Sequence, residues 1–182
     1  MTGASRVFLL SPAFAGGKRA SLLFNPAAEF PLARRLHQGE GITLGEAFSF
    51  MSGLYFRGKL AYGRRFATAP EHLQVITTNR GLMSPDRYVT VDDLRGFGDV
   101  EIEPDDPLYR DPLVKALRNL PPEADVVLLG SLATSKYLEP LREELRGRLF
   151  FPADFVGRGD MSRGSLMLKA ANSGVELIYV PA

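Results

Sequence analysis

The 182 residues carry 22 Lys and Arg against 21 Asp and Glu, with 45% apolar and 24% charged residues, the size and balance of one ordinary globular domain. A net charge of +1 gives no global electrostatic case for nucleic acid, so any such case rests on local patches. With no cysteine and only His37 and His72, the chain excludes thiol redox chemistry and has too few ligands for a zinc site built on Cys or His to be expected.

Met1 to Arg6 lacks the basic flank and apolar run of a signal peptide. No apolar stretch approaches the roughly eighteen residues of a membrane span. A cytoplasmic chain with no membrane partner is therefore expected. The first predicted element is a buried strand over Arg6–Leu10 that stops at Ser11-Pro12. A short helix is expected within Pro26–Gln38. Over Gly45–Phe66, the residues Phe48, Met51, Leu54, Tyr55, Ala61 and Tyr62 suit a helix face. Gly53, Gly58 and Gly63 each cost about 1 kcal/mol relative to alanine there, so two helical pieces broken near Ser52-Gly53 are predicted. Leu73–Thr78 reads as a second strand, ending at Asn79-Arg80-Gly81. Pro85 and Gly96-Phe97-Gly98 read as loops, and Val100–Glu103 alternates like a half-exposed edge strand or a loop.

Pro107–Asn119 follows Asp105-Asp106, a helix-start signature, and places Leu108, Leu113, Leu117 and Leu120 near one face. Asp125–Leu129 is the clearest strand and stops at Gly130-Ser131. A helix over Leu132–Leu145 follows, capped by Ser131 and ended by Gly147, with a kink or restart expected at Pro140. Arg148–Phe151 reads as a strand ending at Pro152. Ser162–Asn172 reads as a helix with Leu166, Met167 and Ala170 inward, and Glu176–Val180 as the last strand. Continuous apolar runs favour strands covered on both faces. The expectation is one α/β domain over residues 1–182, three layers of helix, sheet and helix around a mostly parallel central sheet.

In open α/β sheets, ligands bind beyond the carboxyl ends of the strands. Those ends carry Ser11 with Gly16-Gly17-Lys18-Arg19, then Thr77 to Arg80, then Gly130-Ser131 with Lys136, then the loop from Asp154 to Gly164. The candidate ligand-binding residues are Lys18, Arg80, Gly130, Ser131, Lys136, Gly157, Arg158, Gly159, Ser162 and Arg163. Glycines and helix starts would admit an anion, most simply a phosphate, and the side chains would supply charge. Each feature also has a plainer reading. Gly16 to Arg19 lacks the spacing of a Walker loop and reads as a basic loop, Gly130-Ser131 as a turn, and Lys136 as a solvated charge. Asp160 caps a helix or pairs with Arg163 in the plain reading. As chemistry, Asp160 or Asp154 is the candidate catalytic base, since a neighbouring arginine lowers a carboxylate pKa. The basic run Arg57, Lys59, Arg64 and Arg65 alternates with rings, and its plain reading is a helix that buries the rings and solvates the charges.

The segments Arg6–Pro12, Ser52–Lys59 and Val75–Asp86 together resemble the bacterial YaaA-like peroxide-stress family and related domains of unknown function. Gly81-Leu82 and Pro85-Asp86 stand where that group has its "gly-leu, pro-asp" turn, and Val127–Ser131 with Tyr137 and Leu141 resembles its next strand and helix. At the end of the first strand this chain has Ser11-Pro12, with Lys18 displaced from the group's pattern. The resemblance implies an association with DNA or nucleotide metabolism. Three functions are thus expected in competition. The first is a domain binding a nucleotide or nucleic-acid phosphate at the carboxyl edge of its sheet. The second is a hydrolase or transferase acting on a nucleoside or nucleotide. The third is an interaction module presenting the acidic 92–106 segment to a basic partner. No cofactor is assigned.

Overall fold

Val7 to Leu10 are completely buried, and their alternation splits the core in two: Phe8 and Leu10 face one helical layer, Val7 and Leu9 the other. The computed structural model describes residues 5–131 and 135–182. Its central sheet is built from β1 (Arg6–Leu10), β3 (Leu73–Ile76), β4 (Leu82–Met83), β6 (Asp125–Leu129), β7 (Leu149–Pro152) and β8 (Tyr179–Pro181), in the order β4-β3-β1-β6-β7-β8. The four inner strands run parallel, and β4 and β8 close the two edges antiparallel. Two short strands, β2 (Ile42–Thr43) and β5 (Tyr88–Val89), pair apart from it.

One face carries α1 (Lys18–Phe24), α2 (Pro31–His37), α3 (Leu44–Ser52), α4 (Leu54–Phe66), α5 (Val91–Gly98) and α8 (Asp160–Ser173). The other carries α6 (Pro107–Arg118) and α7 (Ser135–Leu145). The three-layer α/β architecture is the one the sequence predicts. Among the described residues no helix is long and apolar enough to cross a membrane.

The predicted break between two helices falls at Gly53, whose φ of 63° and ψ of −131° end α3 and start α4. An L side chain there would be strained, so glycine is required. Thr43 and Glu46 form a reciprocal capping box that starts α3, and Arg35 clasps Glu46 at 2.9 Å. Both contacts hold the Glu46 carboxyl below the usual carboxylate range, the Arg35 hydrogen bond being the larger cause.

Four expectations need correction. Gly96-Phe97-Gly98 is the end of α5 and not a loop, because a capping box between Thr90 and Asp93 starts a helix that buries Leu94 and Phe97. The second strand stops at Ile76, since Thr77 turns to bind the carbonyl of Gly81 through both its N–H and its hydroxyl. Leu108 is exposed and Tyr109 takes its place in the core of α6. The last strand begins at Tyr179, because the N–H of Leu177 donates to the hydroxyl of Tyr62 on α4. Val100–Glu103 takes the loop alternative. α7 runs through Pro140 without restarting. The start expected at Leu132 lies outside the described residues, and with it the cap assigned to Ser131.

α4 and α8 are the most tightly apposed helices. A methyl group built on Gly58 would lie 2.5 Å from the carbonyl oxygen of Gly164, and one on Gly164 would lie 2.8 Å from that of Leu54. Backbone therefore meets backbone at the crossing. This apposition fixes the depth at which the residue after Gly58 enters the core.

Candidate functional site

That residue is Lys59. Its side chain is 1% exposed, among the largest fully buried side chains of the protein. Its Nζ lies 2.8 Å from the backbone oxygen of Ser11 and 2.9 Å from Ser11 Oγ, at the carboxyl end of β1. The amine also sits 4.1 Å from the centre of the Tyr55 ring and 5.2 Å from that of Phe56. Burial lowers the pKa of Lys59 to about 7, against a smaller opposing pull from Asp160 at the start of α8. No carboxylate pairs with it directly among the described residues. Ser11 is itself buried, held between strands where Gly130 ends β6. A methyl on Gly130 would meet Ser11 Oγ at 2.8 Å, so only glycine leaves room for the hydroxyl.

Helical spacing could have revealed this lysine. Tyr55, Lys59 and Tyr62 fall at i, i+4 and i+7, the spacing of one helix face. The plain reading of the basic run, with all charges in solvent, therefore fails at Lys59. It holds for Arg57 and Arg64, which are exposed.

A cleft of about 460 Å³ opens beyond the carboxyl ends of β1 and β3. The turn from Pro12 to Ala15 forms one wall, and Phe97 and Gly98 at the end of α5 with Val100 to Ile102 of the following loop form the other; Thr78, Glu101 and Lys136 supply its polar groups. Phe14 is 76% exposed. Thr78 donates its hydroxyl to the carbonyl of Phe97 at 2.7 Å, which ties β3 to α5. Lys136 pairs at 2.6 Å with Glu103, which stands outside the lining, so the one ammonium at the rim has two carboxylates near it, Glu101 in the cleft and Glu103 beside it. A larger groove of about 610 Å³ runs along α6, but ion pairs such as Arg118 with Glu144 at 2.9 Å occupy its walls.

The predicted site residues separate into groups. Lys136 joins the cleft, and Gly130 stands beside Ser11, with Ser131 next in the chain. Around the β7–α8 connection, Arg158 donates to Ser162 Oγ at 3.0 Å, Gly157 takes a φ of 76°, and Gly159 caps α8 with open space around it. Arg163 is buried and points inward. Its Nε and Nη2 each donate to the carbonyl of Phe155 at 3.2 Å, and Nη1 lies 3.5 Å from Asp160. Asp154 and Asp160 are exposed and do not line the cleft. Arg80 is held by Asp93 at 2.6 Å, and Lys18 is exposed at the start of α1, so the basic loop expected over Gly16 to Arg19 is corrected: Gly17 caps a helix that begins at Lys18. β1 and β6 separate β3 from β7, which at the usual strand spacing puts Arg80 and the Arg158 loop on strands about 14 Å apart. The single phosphate pocket expected from Lys18, Arg80, Arg158 and Arg163 is therefore not assembled. Asp93 holds one of the four, and the Phe155 carbonyl turns another inward.

Comparison with protein-family models, with curated proteins and with solved structures gives no match.

Proposed function

We propose that the chain binds a nucleoside or nucleoside monophosphate in the cleft beyond β1 and β3. The observation that carries this reading is the exposed Phe14 ring at a mostly apolar cleft that holds one carboxylate and one ammonium. An aromatic face stacks any base, a contact worth about 1–3 kcal/mol. Glu101 can accept from an exocyclic amine, and Lys136 can exchange Glu103 for a phosphate. The two carboxylates at and beside the rim oppose a polyanion, which favours a nucleoside or monophosphate over a triphosphate or a nucleic-acid strand. The resemblance to the YaaA-like group points toward the same ligand class.

The acidic 92–106 segment gives less support to a docking role. Asp93 is bound to Thr90 and Arg80, Glu103 to Lys136, and Asp106 caps α6.

Titration calorimetry with the four common ribonucleosides and their 5′-monophosphates tests the proposal. At least one nucleoside should bind, and Phe14→Ala should weaken it by about thirtyfold, the middle of the stacking range. Lys136→Ala should weaken the monophosphate while leaving the nucleoside unchanged. Heats of dilution alone for every compound, or equal affinity in Phe14→Ala, would remove the basis for the cleft as a base-binding site.

A further inference from the structure

We propose that Ser11 and Lys59 form a nucleophile–base pair for acyl transfer. The inference does not rest on the nucleoside reading, since neither residue lines the cleft. The pair sits where β1 has β3 on one side and β6 on the other, the switch point of the parallel sheet, with the chain leaving each strand toward its carboxyl end. Its separation of 2.9 Å lies within the range in which a base takes a hydroxyl proton. The 2.8 Å contact to the Ser11 carbonyl fixes one N–H of the amine. In the charged amine a second N–H donates to Ser11 Oγ, whose own hydroxyl reaches toward the Leu129 carbonyl at 3.5 Å; in the neutral amine the lone pair can take the place of that N–H and accept from the Ser11 O–H. The surroundings keep the amine from being locked in its charged form. Burial outweighs what favours the ammonium: the faces of Tyr55 and Phe56 attract the cation, but no carboxylate is bonded to it among the described residues and Asp160 acts on it only at longer range.

This environment selects the electrophile. A phosphoryl group would bring negative charge to a buried place whose one adjacent amine must be neutral to act as base. An ester or activated amide brings an uncharged carbonyl carbon. In the proposed step Ser11 Oγ forms a bond to that carbon while its proton passes to Lys59 Nζ. The carbon–heteroatom bond to the leaving group then breaks, and the leaving group takes the proton from the Lys59 ammonium. Water attacks the acyl-serine in the second half, giving its proton to Lys59, and the acid departs as Ser11 Oγ recovers a proton from the same ammonium.

Ser11 is 4% exposed, so the probe must be small. The full-length protein is incubated with p-nitrophenyl acetate, and the acetylated position is mapped by peptide mass spectrometry. Acetyl transfer should fall on Ser11, at a rate that rises as the pH passes through 7. The rate should drop about a hundredfold in Lys59→Met, the low end of what a general base supplies. Acetylation confined to surface lysines of the wild-type protein would overturn the proposal, and this reading needs no variant to fold. So would a wild-type Ser11 rate that is flat between pH 6 and 8, or an unchanged rate in a Lys59→Met protein that melts cooperatively.

Discussion

Gly58→Ala should lower the melting temperature by roughly 4–8 °C. The added methyl would lie 2.5 Å from the Gly164 oxygen and 2.9 Å from the Gly164 Cα, both backbone atoms of α8. No rotamer change relieves a clash with backbone, so α4 and α8 must move apart and loosen the core between them. Overpacking of this kind costs about 1–3 kcal/mol and occasionally more. Alanine regains up to about 1 kcal/mol as a better helix former, so the clash wins. A clash with backbone atoms on this scale sits at the upper end of that range, and a net loss of about 2 kcal/mol at about 2–4 °C per kcal/mol for a domain of this size gives the stated shift. Gly159→Ala is the matched control: φ there is −83° and a methyl meets nothing within 4 Å. Its melting temperature should stay within about 2 °C of wild type, a change of under 0.5 kcal/mol. A Gly58→Ala protein as stable as this control would show that the two helices tolerate separation, and that the glycine pair does not set the depth of Lys59.

The sheet was readable because its inner strands are short uninterrupted apolar runs. Arg6–Leu10 and Asp125–Leu129 match the predicted bounds, for they are covered on both faces and leave little to tertiary context. The small strands β2, β4 and β5 are not readable from the sequence, since two residues carry no periodicity. α5 was missed for a different reason. The pair Gly96 and Gly98 outweighed the Thr90–Asp93 capping box, although that box and the spacing of Leu94 and Phe97 were both visible.

The site was less legible than the fold. Of the residues read after each strand, Lys136 lines the cleft beyond β1 and β3. Sequence cannot show, however, that Arg80 will meet Asp93 or that Arg163 will turn toward the Phe155 carbonyl, because both partners come from elsewhere in the chain. It was also silent on the meeting of Lys59 with Ser11, 48 residues apart. A charged residue on a helix is normally solvated, and what overrides that default here is the close crossing of α4 and α8.

The same burial predicts an unusual dependence of stability on pH. In the unfolded chain Lys59 keeps its ordinary pKa of 10.5, while in the fold it loses its proton near 7. Between those values the unfolded state binds one more proton than the folded state, so stability rises with pH. The slope is about 1.4 kcal/mol per pH unit for a single group. Below pH 7 both states carry the charge and the slope vanishes. The upper end of the window is set by Tyr62 and Tyr179, whose hydroxyls share a buried hydrogen bond. Burial pushes Tyr62 up to about 12 and Tyr179 further still, so ionisation of the unfolded tyrosines begins to favour unfolding near pH 10. The measurement is therefore urea unfolding at pH 7, 8, 9 and 9.5 in wild type and in Lys59→Met, which cannot titrate and leaves the tyrosines in place. The difference in unfolding free energy between the two proteins should move in favour of wild type by roughly 2–3 kcal/mol across the series. Asp160, the one carboxylate that favours the charged amine, shortens the window from below, so Asp160→Asn should extend the rise to lower pH. Parallel profiles for wild type and Lys59→Met would mean that the amine keeps its proton in the fold, and a lysine that stays charged cannot serve Ser11 as a base.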